Sequence, residues 1–216
     1  MAQDKWDFDE WAETYDMDVV RAARAEDWIF RDYERVLDKV VEYCELDKNR
    51  YTSVIDIGTG TGNLAARFLA RGLHVLGIEP SGEMRKICQE KYPEMIVEEG
   101  DFLTIPLYLP RVDLVVSAYA LHHLTPAEKV EAVIEMKRLL NPKGRVVIAD
   151  LMFRNAAEER RIRQALRETG RSDILDEIKD EYPGLFEELT IIFTEEGFSI
   201  QGERLTESVW IISALR

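Results

Sequence analysis

Apolar residues change rhythm at about residue 51. Before that point they recur at helical spacing. Phe8, Trp11, Ala12 and Tyr15 form an aromatic stripe, and Ile29, Tyr33, Val36, Leu37, Val40, Val41 and Cys44 form a second one with charges between. From Tyr51 onward, short apolar runs alternate with amphipathic stretches. Strands are predicted over 53–57, 75–79 and, more weakly, 95–97. A fourth, 113–118, has the near-continuous apolar character of a strand buried on both faces. A helix should follow the first strand through about Arg71, and another, capped by Ser81, should follow Pro80. Thr125-Pro126-Ala127-Glu128 reads as a helix start, with Thr125 as cap, Pro126 in the first turn and Glu128 closing a capping box. Asn141-Pro142-Lys143-Gly144 ends that helix and leads into a fifth strand over 145–150. Strand and helix alternating at this interval predict a parallel sheet with right-handed crossovers.

The alternation then breaks. Residues 155–181 are highly charged and helical in pattern, with Gly170 as a stop, and one more helix follows. Phe198-Ser199-Ile200 and Val209-Trp210-Ile211-Ile212 flank a connection too short for a helical crossover, so they should pair antiparallel. The whole chain reads as one α/β domain over 1–216. Its parts are a helical segment (1–50), a strand-helix core (51–151), a second helical segment (152–196) and a closing hairpin (197–216).

Composition narrows the partners. The net charge of −14 opposes phosphate backbones, whose binding draws most of its affinity from Lys and Arg. Nucleic acid is therefore not expected as a partner. No apolar run reaches the length of about 20 residues that a membrane helix needs, and the N-terminus lacks the pattern of a secretory signal, so a cytoplasmic protein off the membrane is expected. Cys44 and Cys88 stand apart, with no histidine at ligand spacing, and predict neither a disulfide nor a metal.

The densest chemical signal is Asp56-Ile57-Gly58-Thr59-Gly60-Thr61-Gly62, between a strand and a helix. Glycines there allow positive φ and close approach of a ligand, and the following helix offers free N–H groups. A dinucleotide site favours G-x-G-x-x-G, whereas here the spacing is G-x-G-x-G and position 63 is Asn. Glu79 ends the second strand, beside the glycine loop at the ligand edge, where a carboxylate can accept from ribose hydroxyls. Asp101, in Gly100-Asp101-Phe102, follows the third strand and can reach an adenine edge with Phe102 nearby; alone it would read as a turn aspartate.

These motifs, with the run 113–124 and Leu139-Leu140-Asn141-Pro142-Lys143-Gly144, resemble the class I S-adenosylmethionine (SAM)-dependent methyltransferases in order and spacing. The likeness covers nearly the whole chain. The opening Phe8-Asp9-Glu10-Trp11-Ala12-Glu13-Thr14-Tyr15-Asp16, with Glu79-Pro80-Ser81 and Met84-Arg85-Lys86, is similar to the YrrT-type methyltransferases of Bacillus relatives. The resemblance implies a Rossmann-like sheet of seven strands, mostly parallel, with helices on both faces and a C-terminal antiparallel hairpin. It also implies SAM as cofactor. Gly58, Gly60 and Gly62 would line its methionine end, with Asp56 organising the ammonium group, Glu79 the ribose and Asp101 the adenine. Ser117 would border the sulfonium and the acceptor, and Trp11 and Tyr15 would fold over the cofactor as a lid; plain core packing explains that aromatic face equally well.

Methyl transfer is an in-line displacement governed by alignment and exclusion of water. A base is needed only for an acidic acceptor, and Tyr119, His122 and His123 are the candidates. The fourth strand ends in neither Asn/Asp-Pro-Pro-Tyr/Phe nor Pro-Cys, the marks of nucleic-acid methylation. A small-molecule acceptor is therefore expected. A non-catalytic SAM-binding protein and a nicotinamide-dependent oxidoreductase are the rival readings.

Overall fold

The computed structural model describes residues 8–25, 27–46 and 51–216. Three helices open the chain: α1 (Phe8–Trp11), α2 (Tyr15–Arg24) and α3 (Tyr33–Tyr43). The core follows as β1 (Ser53–Ile57), α4 (Ala65–Leu69), β2 (His74–Glu79), α5 (Gly82–Lys91), β3 (Ile96–Glu99) and β4 (Val112–Ala118). A 3-10 turn at Leu121–His123 leads to α6 (Pro126–Leu139) and β5 (Leu140–Phe153). Then come α7 (Ala156–Glu168), α8 (Ser172–Glu177), a two-residue β6 (Gly184–Leu185), α9 (Phe186–Glu195), β7 (Ser199–Arg204) and β8 (Val209–Leu215).

The main path of the sheet runs β3-β2-β1-β4-β5-β8-β7, seven strands as expected, and β6 adds a short parallel pairing at the end of β5. β1 through β5 are parallel, and β8 joins β5 and β7 antiparallel. Alternation along the central strands sorts the core into two layers. Val54, Leu114, Val116 and Val147 face α3 and α4, while Ile55, Val115, Val146 and Ile148 face α6 and α9. The strand order reverses at β1, which lies between β2 and β4. A ligand crevice opens beyond the carboxyl ends at such a point.

Local signals hold where side-chain chemistry is specific. Thr125 and Glu128 form the reciprocal capping box, and Ser81 accepts from the Met84 N–H at 3.1 Å. Gly170, at φ +71°, separates α7 from α8. Boundaries shift where local signals conflict. α4 is shorter than expected. β5 begins at Leu140 because the chain resumes pairing with Val112 before an irregularity around Lys143, at φ +65°, restores the register at Leu114 and Arg145. Among the described residues, no helix is long and apolar enough to cross a membrane.

Phe68 on α4 is fully buried between that helix and the sheet. Phe68→Ala should lower unfolding stability by about 3–5 kcal/mol, read as a reduced urea midpoint with an unchanged m-value.

Candidate active site

The loop between β1 and α4 is fixed first by the backbone. Gly58 and Thr59 both donate their N–H to the Ile78 carbonyl, at 2.8 and 3.1 Å, which ties the loop to the end of β2. Glu79, the next residue, is 5% exposed. Its Oε2 accepts from the Gly60 N–H and its Oε1 from the Ser81 N–H, each at 2.9 Å. One carboxylate therefore clamps the glycine loop to the start of α5. Each oxygen keeps a lone pair free for a ligand hydroxyl.

The three loop glycines do different work. Gly58 (φ +72°) lines the cavity, and a Cβ there would lie 2.5 Å from that of Ala120. At Gly60 (φ +54°) a Cβ would meet nothing within 4 Å, so this position faces open ligand space. Gly62 (φ +90°) lies outside the cavity lining. Its missing Cβ accommodates Cys88 and Tyr92, at 2.8 and 2.9 Å, so it is a packing glycine.

Asp56 lies beneath the loop, 1% exposed. Thr59 donates to its Oδ2 at 2.9 Å, while Oδ1 has no hydrogen-bond partner. Burial, opposed by the Thr59 bond and reinforced by the charge of Glu79, pushes its carboxyl up to about 7. An orphaned buried carboxylate oxygen under a glycine loop suits a nearby cation or its bound water.

Glu79 and Asp101 line the same cavity as Gly58 and Gly60. Asp101 also serves its own turn, its Oδ1 accepting from the N–H groups of Leu103 and Thr104 at 2.7 and 2.8 Å. Ser117 is placed otherwise than expected. It is fully buried, donates to the Ile57 carbonyl at 2.7 Å and braces β4 against β1 rather than bordering the cavity.

The cavity encloses about 650 Å³, within the range for small-ligand sites. Its walls include Trp11, Tyr15, Phe30, Phe102 and Tyr119, together with the carboxylates Glu79, Asp101, Asp18, Asp27, Glu128 and Glu177. Among the described residues, no Lys or Arg lines it. Such a wall favours a cationic ligand with an aromatic or apolar body over one bearing a pyrophosphate.

The N-terminal helices are fastened by two aspartates that sequence reasoning passed over. Asp9 Oδ1 accepts from Ser81 Oγ at 2.5 Å and from the Glu83 N–H at 3.2 Å. Asp16 accepts from Thr61 Oγ1 at 2.6 Å, Asn63 Nδ2 at 2.9 Å and Lys91 Nζ at 2.7 Å. These partners outweigh burial and hold Asp16 below its ordinary value. Trp11, donating to Asp18 at 3.1 Å and edge-on to Tyr15, thereby takes its place in the cavity wall. Both aspartates belong to the opening aromatic-acidic motif; only the fold shows what they grip.

The three candidate bases differ. Tyr119, at φ +54°, packs against Phe30 and Tyr33, and its hydroxyl is buried without a partner. Burial raises its pKa well above the ordinary value, so it stays protonated. His122 is buried, with Nδ1 2.5 Å from Asp150 Oδ1, while its backbone N–H donates to Asp150 Oδ2 at 3.0 Å. Burial disfavours the charged ring, but Asp150 outweighs it and the pKa is raised. His123 Nδ1 lies 2.8 Å from Glu181 Oε2, and burial leaves its pKa lowered. Asp150 ends the predicted fifth strand, a position where ligand-edge residues collect. Glu181 lies far along the chain in a charged stretch and carries no such signal.

A fold of this topology, with a glycine loop clamped by a strand-end carboxylate above an acidic cavity, defines a nucleoside-binding α/β enzyme. The family model described as a methyltransferase domain matches residues 54–144. An uncharacterized methyltransferase of Geobacillus thermodenitrificans (strain NG80-2) is 38% identical over 97% of this chain and 95% of its own. The uncharacterized methyltransferase YrrT of Halobacillus halophilus is 31% identical over 96% and 94%. Among solved structures, magnesium protoporphyrin IX methyltransferase (ChlM) of Synechocystis PCC 6803 with bound S-adenosylhomocysteine (SAH) superposes with a TM-score of 0.73 at 18% identity, covering 96% of this chain and 97% of that one. The chain belongs to the class I SAM-dependent methyltransferases, in the group of these uncharacterized relatives.

The raised pKa of Asp56 has a measurable consequence. Its folded value of about 7 exceeds the ordinary 3.8, so between the two the folded ligand-free protein holds a proton that the unfolded chain releases. This group therefore costs stability progressively as pH rises through that window. Asp56→Asn should remove the cost, raising the ligand-free urea midpoint relative to the parent near pH 8 and much less near pH 4.

Proposed function

We propose that the protein transfers the methyl group of SAM to a small molecule held in the cavity between the glycine loop and the N-terminal helices. The observation that carries this reading is the Glu79 clamp. A buried carboxylate fixes the Gly60 turn and faces the space that a ribose would fill. On this reading Gly58 and Gly60 flank the methionine end, and Asp56 supports the ammonium group from below. Gly62 and Ser117 keep the loop and strand in place without touching the cofactor. Asp101 and Phe102 border the adenine, while Trp11 and Tyr15 close the site as a lid latched through Asp9 and Asp16.

When bound, SAM supplies a methyl group on a positively charged sulfonium. The residues of the chain have three tasks. The acidic wall attracts the cation. The latched aromatic helices exclude water and limit the approach to one direction. His122, oriented by Asp150, is the group placed to take a proton from an acidic acceptor. The enclosed, mostly apolar space and the net charge of −14 favour a small acceptor over a polynucleotide. A nicotinamide cofactor is disfavoured by the carboxylates around the loop and by the hairpin that closes the sheet.

Calorimetry with SAM and with SAH tests the reading. Both should bind, and NADH should not. Glu79→Ala should weaken SAH binding by roughly 1–3 kcal/mol in protein shown by circular dichroism to be folded. No binding of SAM or SAH even at millimolar ligand would remove the basis of the proposal.

A further inference from the structure

Beside the cavity lies a cluster that the residues assigned to SAM do not use, and two of its members, His122 and His123, line the wall. His122, His123 and Glu181 each offer one ligand atom, and these atoms lie within 4.8 Å of one another. Two are imidazole nitrogens and one is a carboxylate oxygen. All three side chains are largely buried, at 8%, 19% and 13% exposed. The imidazole rings are 4.0 Å apart between centroids.

The surroundings hold the cluster in place. Asp150, 1% exposed, grips His122 through both its Nδ1 and its backbone N–H. A carboxylate on one imidazole nitrogen fixes the ring and leaves the other nitrogen as a ligand, the arrangement found behind metal-bound histidines. Glu181 is delivered from far along the chain by its neighbour: the Tyr182 N–H donates to the His122 carbonyl at 2.8 Å, and Lys129 Nζ donates to the Tyr182 carbonyl at 2.7 Å. Asp150 and Glu181 bring two carboxylates to two imidazoles. Lys129 supplies one nearby positive charge but spends its hydrogen bonds on backbone carbonyls.

We propose that His122, His123 and Glu181 bind a divalent transition metal, of the Zn²⁺ or Fe²⁺ class. Two imidazoles and one carboxylate without thiolate suit those ions and leave coordination positions vacant. Both histidines line the cavity, so the vacant positions face the acceptor space. Phe8, edge-on to His123 at 5.3 Å, places the N-terminal helices over the same spot. The role of the metal rests on the methyltransferase reading; its binding does not. With the ion bound, His122 is a ligand in place of a base: a hydroxyl or thiol on the ion becomes more acidic and gives up its proton to solvent as it enters. The resulting oxygen or sulfur attacks the methyl carbon as the carbon–sulfonium bond breaks, and that electron pair stays on sulfur. The acceptor class is therefore a small alcohol, phenol or thiol.

The test uses the full chain after chelator treatment, titrated with Zn²⁺ by calorimetry and with Co²⁺ by visible absorption, and with SAH in parallel. One equivalent of metal should bind, and the Co²⁺ band should have the intensity of low-coordinate nitrogen and oxygen ligation. Glu181→Gln and His123→Gln, at the two less buried positions, should each abolish that band, and Asp150→Asn should weaken metal affinity about 10–100-fold. Absence of metal binding, or binding equally strong in Glu181→Gln and His123→Gln, overturns the proposal and leaves a hydrogen-bonded His123–Glu181 pair beside an Asp150–His122 base. SAH binding separates the two ideas: metal failure with SAH bound sinks only this site, and SAH failure with metal bound sinks the proposed methyl transfer and leaves the metal site standing.

Discussion

The geometry of the site depends on one buried carboxylate that holds two backbone N–H groups. Glu79 sits at the end of β2, where the neighbouring strand β1 releases its chain into the glycine loop, and it ties Gly60 to Ser81 across that gap. Burying a charge is costly unless it is hydrogen-bonded, and two backbone donors offset the cost while still leaving acceptor capacity. Burial nonetheless raises the pKa of Glu79, against the opposing bonds from Ser81 and Gly60. A further pair of hydroxyl donors would favour the ionised form, and on the proposed reading a ribose diol supplies it.

The clamp also explains how the N-terminal helices take part. Ser81 and Thr61, which flank the clamped segments, are the residues that Asp9 and Asp16 grip. The covering helices are thus anchored to the pieces of chain that shape the cavity floor, and not to the distant helical layer. Individual partly exposed contacts of this kind, hydroxyl hydrogen bonds and the one ion pair from Asp16 to Lys91, contribute little stability. Their value lies in placement: two short anchors fix where Trp11 and Tyr15 stand in the cavity wall.

Much of this was legible in the sequence, because the informative residues act locally. The capping box at Thr125, the cap at Ser81 and the strand runs depend on neighbours within a few positions. So do the loop glycines, although the division of labour among them depends on Cys88, Tyr92 and Ala120 and could not be read from spacing. Ser117 was misplaced for a related reason. Its position at the end of a central strand suggested the cavity, but side chains alternate along a strand, and its hydroxyl found the Ile57 carbonyl instead. Asp150 and Glu181 depend on contacts across 28 and 58 residues, which no local pattern carries. The pair of histidines was visible as a candidate; what it was paired with was not.

The acidity of the cavity bears on turnover as well as on binding. On the proposed reading the ligand enters with a sulfonium and an ammonium charge and leaves with the ammonium alone. Every carboxylate near the sulfur position therefore attracts the reactant more than the product, whereas the contacts at Glu79 and Asp101 are the same for both. Carboxylates close to the sulfur would also stabilise the reactant charge and slow its dispersal in the transition state. On that reading Glu79 and Asp101 serve the nucleoside end and Asp56 lies under the loop, while Asp18, Asp27, Glu128 and Glu177 share the cavity lining with the rings of Phe30 and Tyr119. The lining therefore favours capture of the cation, and the ease of its discharge depends on how far these carboxylates stand from the sulfur.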